Sequence, residues 1–275
     1  MQTKEENVND HNLFDLEECV ILKIICGSRA YGLNNENSDT DIRGIYILPI
    51  EMQIGIFSQK EMVIHNIGKE DSNFFSLKKF IEVLIRSGPN AIEMLFPPAN
   101  TILRINDYGE SLLKNKDIFL SQQVRKTYYN MTINNIRDAL NIELKSHNEY
   151  REKYNYDTKQ AANALRTIRF GTELLETGKI TVHRTNDKNE LLNLRNGKYT
   201  ADEFAIIEKK KNKKNGKLET YVIGGLMRDE FDKFEIACSN SVLPEEINLV
   251  EANKLLIELT SQRFNLNIKS NSQSR

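Results

Sequence analysis

Val20-Ile21-Leu22-Lys23-Ile24-Ile25 runs into Cys26-Gly27-Ser28-Arg29-Ala30-Tyr31-Gly32, and a short loop later comes Ser38-Asp39-Thr40-Asp41-Ile42-Arg43-Gly44-Ile45-Tyr46-Ile47-Leu48. The reading of this stretch decides the fold. The first apolar run has the length and composition of a buried strand. Gly27-Ser28 breaks it, and small residues there let backbone approach a ligand closely, while a following helical turn would aim free amides at an anion. The segment from Asp39 onward reads as a second strand. Side chains two apart on a strand point the same way, so both carboxylates face one site. A phosphate cradle opposite paired carboxylates is suited to holding a magnesium–nucleoside triphosphate.

The Gly-Ser, spacer, Asp-x-Asp arrangement resembles the DNA polymerase β-like nucleotidyltransferase superfamily. The longer string Gly-Ser-Arg-Ala-Tyr-Gly followed by Ser-Asp-Thr-Asp-Ile-Arg-Gly-Ile-Tyr is similar to one narrower branch, the predicted nucleotidyltransferases of bacteria and phages. Some members of that branch sit beside RNA ligases in RNA-repair gene clusters. The resemblance implies that Asp39 and Asp41 hold Mg2+ or Mn2+, and that Gly27 and Ser28 take the β and γ phosphates of the NTP substrate. It also implies a third carboxylate from a neighbouring strand. In the branch an acidic residue stands five positions before a helix-starting Ser, and here that residue is Asp71, before Ser76. Glu70 would point to the opposite face and is the alternative. Arg43 shares the parity of the two aspartates, and its preferred role is an ion pair that orients a carboxylate.

Elsewhere the chain sets broad bounds. At 275 residues it can bury a sizeable core. A formal charge of −1 leaves no global basic signature, so a nucleic-acid surface would have to be local. Cys19, Cys26 and Cys238 follow no metal spacing, which fits reduced thiols in a cytoplasmic protein of a bacterial cell or phage-infected host. The start is polar and no segment reaches transmembrane length, so a soluble protein without a membrane partner is expected. The sequence does not report on oligomeric state.

Along the chain, residues 1–13 read as a loose tail. Met62-Val63-Ile64-His65 starts a third strand. Ser76 caps a helix whose Leu77, Phe80, Ile81, Leu84 and Ile85 form a core stripe ending at Ser87-Gly88-Pro89. Glu93 sits in an apolar frame and is expected to pair with an Arg. Pro97-Pro98 divides a catalytic core, residues 1–98, from a helical domain, residues 99–275, that completes the cleft. In the latter, a long helix from Ser121 to about His147 and a polar link at Arg151–Tyr156 lead to a helix capped by Asp157 and stopped by Gly178. On it Lys159, Asn163 and Arg166 share a face opposite the apolar one. Such a strip is commonly a solvated face. The branch has Tyr-x-x-Lys-x-x-x-His-x-x-Arg here, resembling Tyr156, Lys159, Asn163 and Arg166, and implies triphosphate contacts from Lys159 and Arg166. Asn163 departs from the branch's His. Asp187 is expected to cap the next helix, and Thr200 opens another that runs into Lys209–Lys217. This lysine block is either a solvated loop or an RNA backbone contact. Residues 221–238 resemble nothing assignable, and Glu245–Gln262 reads as a final helix.

The expected fold is α/β (α+β), a small mixed sheet followed by an all-helical domain. The expected activity is metal-dependent transfer of an NMP from an NTP to an acceptor hydroxyl, an RNA 3′ end. The alternatives are the same chemistry on a protein or small molecule, or a non-catalytic nucleic-acid-binding module.

Overall fold

The computed structural model describes residues 15–54, 61–67, 70–141, 148–211 and 218–264. Asp15 caps a one-turn helix, α1 (Leu16–Cys19), which delivers the chain into β1 (Val20–Cys26). Val20, Ile21, Leu22 and Ile24 of β1 are buried, as an apolar run interrupted only by Lys23 on an inner strand requires. Helix α2 (Gly27–Tyr31) follows β1 directly and closes at Gly32 in the left-handed region, φ 72°. Next come β2 (Thr40–Tyr46), α3 (Ile50–Ile54), β3 (Met62–Ile67), β4 (Glu70–Ser76), α4 (Leu77–Ile85) and α5 (Pro89–Glu93). Ser76 accepts a hydrogen bond from the Lys79 amide at 3.2 Å, the cap expected from the sequence. A fifth strand, β5 (Ile102–Ile105), lies beyond the Pro97-Pro98 pair and completes the sheet against β1. Strand order is β3-β4-β2-β1-β5, parallel between β2 and β4 and antiparallel elsewhere.

The register of this sheet positions the chemistry. Cys26, the last residue of β1, lies opposite Asp41, and Asp41 lies opposite Asp71 across the parallel β2–β4 pair. The end of β1, the start of β2 and the start of β4 therefore meet along one edge.

The rest is mainly helical: α6 (Asp107–Lys114), α7 (Val124–Leu140), α8 (Asn148–Tyr154), α9 (Thr158–Thr177), α10 (Lys188–Arg195), α11 (Ala201–Phe204), α12 (Leu226–Ser239) and α13 (Leu249–Arg263). Helix α9 is central, with α7, α10 and α12 packed around it. Asp157 accepts from the Gln160 amide at 2.9 Å, and Gly178 ends the helix at φ 69°, the limits the sequence predicts. The main apolar core extends from Ile21 of β1 to Leu259 of α13, and a second, smaller cluster of Cys19, Val20, Ile42, Tyr46, Leu48 and Phe74 packs on the other face of the sheet's inner strands.

Several local expectations are corrected. Residues 151–154, expected in a link, belong to α8. The helix opened by Thr200 has its capping box but stops at Phe204. The chain then forms β6 (Ile206–Lys211), paired with β7 (Leu218–Gly224), so the second part is not all helix. β-Branched and aromatic residues on both sides, Ile206-Ile207 and Thr220-Tyr221-Val222-Ile223, favour that ladder, and a distant partner strand is invisible to a local helix rule. Asp187 precedes α10 but makes no side-chain cap, because Arg184 and Arg169 hold its carboxylate. The expectations for residues 1–13, for 142–147 and for Lys213, Lys214 and Lys217 fall outside the described residues. Among the described residues no helix is long and apolar enough to cross a membrane.

Candidate active site

Helix α2 begins at the abrupt end of β1 with Gly27 at φ 63°, a conformation that side chains rarely adopt. Its N-cap, Cys26, supplies no side-chain hydrogen bond to the first turn. A Cβ on Gly27 would overlap the Asp41 carboxylate, which lies directly over the glycine. The loop that follows α2 folds on itself. Ser38 Oγ accepts from the Asn35 amide at 2.9 Å, and Arg29 donates to the Ser38 and Asp39 carbonyls at 2.9 and 3.2 Å. Asp39 is thereby fixed just before β2 begins, rather than within the strand.

Gly27, Ser28, Asp39, Asp41, Lys159 and Arg166 all line one cavity of about 710 Å3. The cavity brings the N-terminal half of α9 to α2 and α5, where the Arg166 guanidinium meets Tyr31 and Glu93. The strip of Lys159, Asn163 and Arg166 lines this cavity. Asp71 stands one strand away, on the face Asp41 shares. Its Oδ2 receives Arg43 at 3.2 Å and its Oδ1 receives Asn73 Nδ2 at 3.1 Å. Arg43 is thus the orienting ion pair the sequence suggested. Glu70 lies opposite Thr40 on the other face, accepting from Ser72 Oγ at 2.8 Å.

Arg166 differs from its neighbours. It is 4% exposed, and its Nη1 donates to Glu93 Oε1 at 3.0 Å. Its guanidinium stacks 3.7 Å over the Tyr31 ring, and the Tyr31 hydroxyl donates to Glu93 Oε2 at 2.6 Å. The expected Arg partner of Glu93 is therefore Arg166. Arg166, expected on the triphosphate, borders the cavity from a buried position in which its guanidinium meets Glu93 and Tyr31.

Burial raises the Asp41 pKa above the ordinary carboxylate value. The Arg43 charge pulls it down, Asp71 and Asp39 push it up, and Lys159 lowers it again. This is a concentration of negative charge in a partly desolvated place, relieved by a cation. The donors are carboxylate oxygens, the hard ligands Mg2+ or Mn2+ would take. Asp39 and Asp41 fit such an ion as a pair. Among the described residues no three His, Cys, Asp or Glu groups converge closely enough for a metal, since the Asp71 carboxylate is turned to Arg43 and Asn73.

Other walls of the cavity escaped the sequence: Met131 and Asn135 of α7, Tyr150 of α8 and Arg195 of α10. Arg195 donates to the Leu33 carbonyl at 2.7 Å, and the Arg184 amide to the Tyr31 carbonyl at 3.0 Å, so the helical part grips the far end of α2. Met131 and Asn135 are four apart and share a helix face, but no local signal says which face meets a cavity.

A strand ending in a Gly-Ser helix start, a neighbouring strand setting the Asp41 carboxylate over that glycine with Asp39 just before it, and a helix lysine on the same cavity are the features of a DNA polymerase β-like nucleotidyltransferase. The chain belongs to the RNA repair pathway DNA polymerase beta family, whose model matches residues 3–258. None of the curated proteins matches it. Among solved structures, a nucleotidyltransferase-like protein from Exiguobacterium sibiricum 255-15 is similar over 89% of this chain and 75% of that one, with 13% identity and a TM-score of 0.27.

Proposed function

We propose that the protein transfers a nucleoside monophosphate from an NTP to the 3′ hydroxyl of an RNA, releasing pyrophosphate. The observation that carries this is the convergence of Gly27, Ser28, Asp39, Asp41 and Lys159 on one cavity. Asp39 and Asp41 would hold divalent metal, Mg2+ or Mn2+, with Asp71 joining them once its carboxylate turns from Arg43 and Asn73; when bound, the metal would neutralise the triphosphate and acidify the attacking hydroxyl. The Gly27 and Ser28 amides and the Ser28 hydroxyl bind β- and γ-phosphate oxygens. Lys159 adds a point charge on the same phosphates. Arg166 acts from the wall: paired to Glu93, it fixes Tyr31 and so the end of α2. Asp71 receives the proton of the attacking hydroxyl, which requires its carboxylate to leave Arg43. The core up to residue 98, with β5, supplies the carboxylates, and the helical part from residue 99 closes the cleft.

RNA as acceptor is supported by the family, whose description places it in RNA repair. Lys209, Lys210 and Lys211 are exposed on β6, with Lys210 paired to Glu208 at 2.7 Å, and form part of a local basic surface suited to RNA phosphates. The test is Asp41→Asn with Asp71→Ala. Each should fold and lose at least about a hundredfold in transfer rate, the scale of one strong electrostatic stabiliser. Near-wild-type turnover of folded Asp41→Asn would refute the metal-ligand role.

A further inference from the structure

Asp39 and Asp41 reach the cavity from different footings. Asp41 lies within β2, where it pairs with Cys26 of β1 and Asp71 of β4. Asp39 is exposed and precedes the strand: pairing to β4 begins at Thr40, and pairing to β1 at Asp41. The sheet therefore places Asp41 and leaves Asp39 to other bonds. Within the loop, the Asn37 amide donates to Asn35 Oδ1 at 3.0 Å and the Ser38 amide to the Asn35 carbonyl at 3.1 Å. Those bonds set the loop's shape but not its position on the molecule. Arg29 supplies the position, donating through Nη2 to the Ser38 carbonyl at 2.9 Å and through Nε to the Asp39 carbonyl at 3.2 Å. Its guanidinium thus spans two consecutive carbonyls from within α2, the helix that opens with Gly27 and Ser28. Arg29 itself does not border the cavity.

We propose that Arg29 is a positioning residue for the divalent metal: it holds the Asp39 carboxylate in place beside Asp41 and ties that carboxylate to the turn of Gly27 and Ser28. The proposal rests on the transferase reading above and adds to it a residue outside the cavity. A cation shared by two carboxylates needs both oxygens in place together, and a ligand on a loop beyond the ladder is held only as well as the bonds behind it. Partners that orient a metal ligand without touching the metal carry about ten- to a hundredfold in affinity. The planar fork of an arginine suits two neighbouring carbonyls, whereas a lysine ammonium is a point charge on a flexible stem and does not fix both. Helix α2 is a firm mount for the fork. The Leu33 amide closes onto the Ser28 carbonyl at 2.9 Å, and the Arg184 amide and Arg195 side chain hold the Tyr31 and Leu33 carbonyls from the helical part. The hold on Asp39 therefore comes through the carbonyl bonds of Arg29 and not through its charge.

The test is Mn2+ binding to the full chain without NTP, read from the loss of the free-ion paramagnetic resonance signal. Wild type should bind Mn2+, and Asp39→Asn should weaken that binding. Arg29→Met should raise the Mn2+ dissociation constant about tenfold, the lower end for a partner that orients a ligand. Arg29→Lys, which keeps the charge, should show most of the same loss and answers the question if the Met variant fails to fold. Adding Arg29→Met to Asp39→Asn should change the constant by less than about twofold, because both substitutions act through one carboxylate. The dissociation constant for labelled NTP in EDTA should be the same in every variant. Wild-type Mn2+ affinity in folded Arg29→Met or in Arg29→Lys overturns the proposal, and so do losses that multiply in the double variant. If Asp39→Asn weakens Mn2+ binding and the Arg29 variants do not, the proposal alone falls and the transferase reading stands. A wild type that binds no Mn2+ overturns both.

Discussion

A methyl group at position 27 would compete for the volume that the Asp41 carboxylate occupies, and position 27 holds a positive φ that resists any side chain. The glycine is therefore needed twice, for the turn out of β1 and for the close approach of the carboxylate. Gly27→Ala should lower transfer on the scale of losing Asp41, about a hundredfold, and lower the melting temperature as well. Single-turnover rates alongside thermal melts check this; an active, undisturbed variant would mean that Asp41 does not need its seat over Gly27. Lys159 and Arg166 share a helix face but have different surroundings. Lys159→Ala should weaken NTP binding with the melting temperature little changed, as loss of a phosphate-facing point charge would. Arg166→Met should instead destabilise the fold by about 3–5 kcal/mol, because it strands Glu93 as a buried charge. Denaturant melts and NTP titrations of the two variants should separate the roles, and equal effects on NTP binding with no loss of stability would contradict the assignment.

At the scale of elements, what was legible in the sequence is what local chemistry dictates. Asp157, Gly178 and Ser76 mark helix ends through hydrogen bonds and backbone angles within a few residues of themselves, and each stands where the pattern puts it. The β1–α2–β2 core was legible because its apolar run, its glycine and its carboxylate spacing are all local. The buried side of Arg166 was not, since Tyr31 and Glu93 come from other elements. Asp187 failed as a cap for the same reason: distant Arg169 competes with its own backbone for the carboxylate. That competition has a pH signature. Burial pushes the Asp187 pKa up, and the hydrogen bonds and charge of Arg184 and then Arg169 outweigh it, leaving the carboxyl below its usual 3.8. Glu230 is likewise raised by burial and brought below its usual 4.5 by hydrogen bonds from Arg169 and Lys233. Lowered carboxylate pKa values mean that the unfolded chain binds more protons, so stability is whole above these ordinary values and falls as pH drops below them. Arg169→Met should flatten the acid limb of the stability curve below about pH 4.5, set by those ordinary values. An acid limb identical to that of wild type would assign acid lability to other carboxylates.

For the whole molecule, the sheet supplies the carboxylates and the helical part supplies the lysine and the clamp on α2. A cavity that carries chemistry forms only where both are present. With a formal net charge of −1, the proposed RNA docking would fall to local surfaces such as the exposed Lys209, Lys210 and Lys211. The most direct test of the central claim is to incubate the protein with each α-labelled NTP in turn, Mg2+ or Mn2+ and a pool of RNA, and to ask which macromolecule acquires label. Label joined to RNA 3′ ends, dependent on the metal and absent with Asp41→Asn, is the predicted result. Label on protein alone, or RNA labelled equally by the wild type and the Asp41→Asn variant, would contradict it.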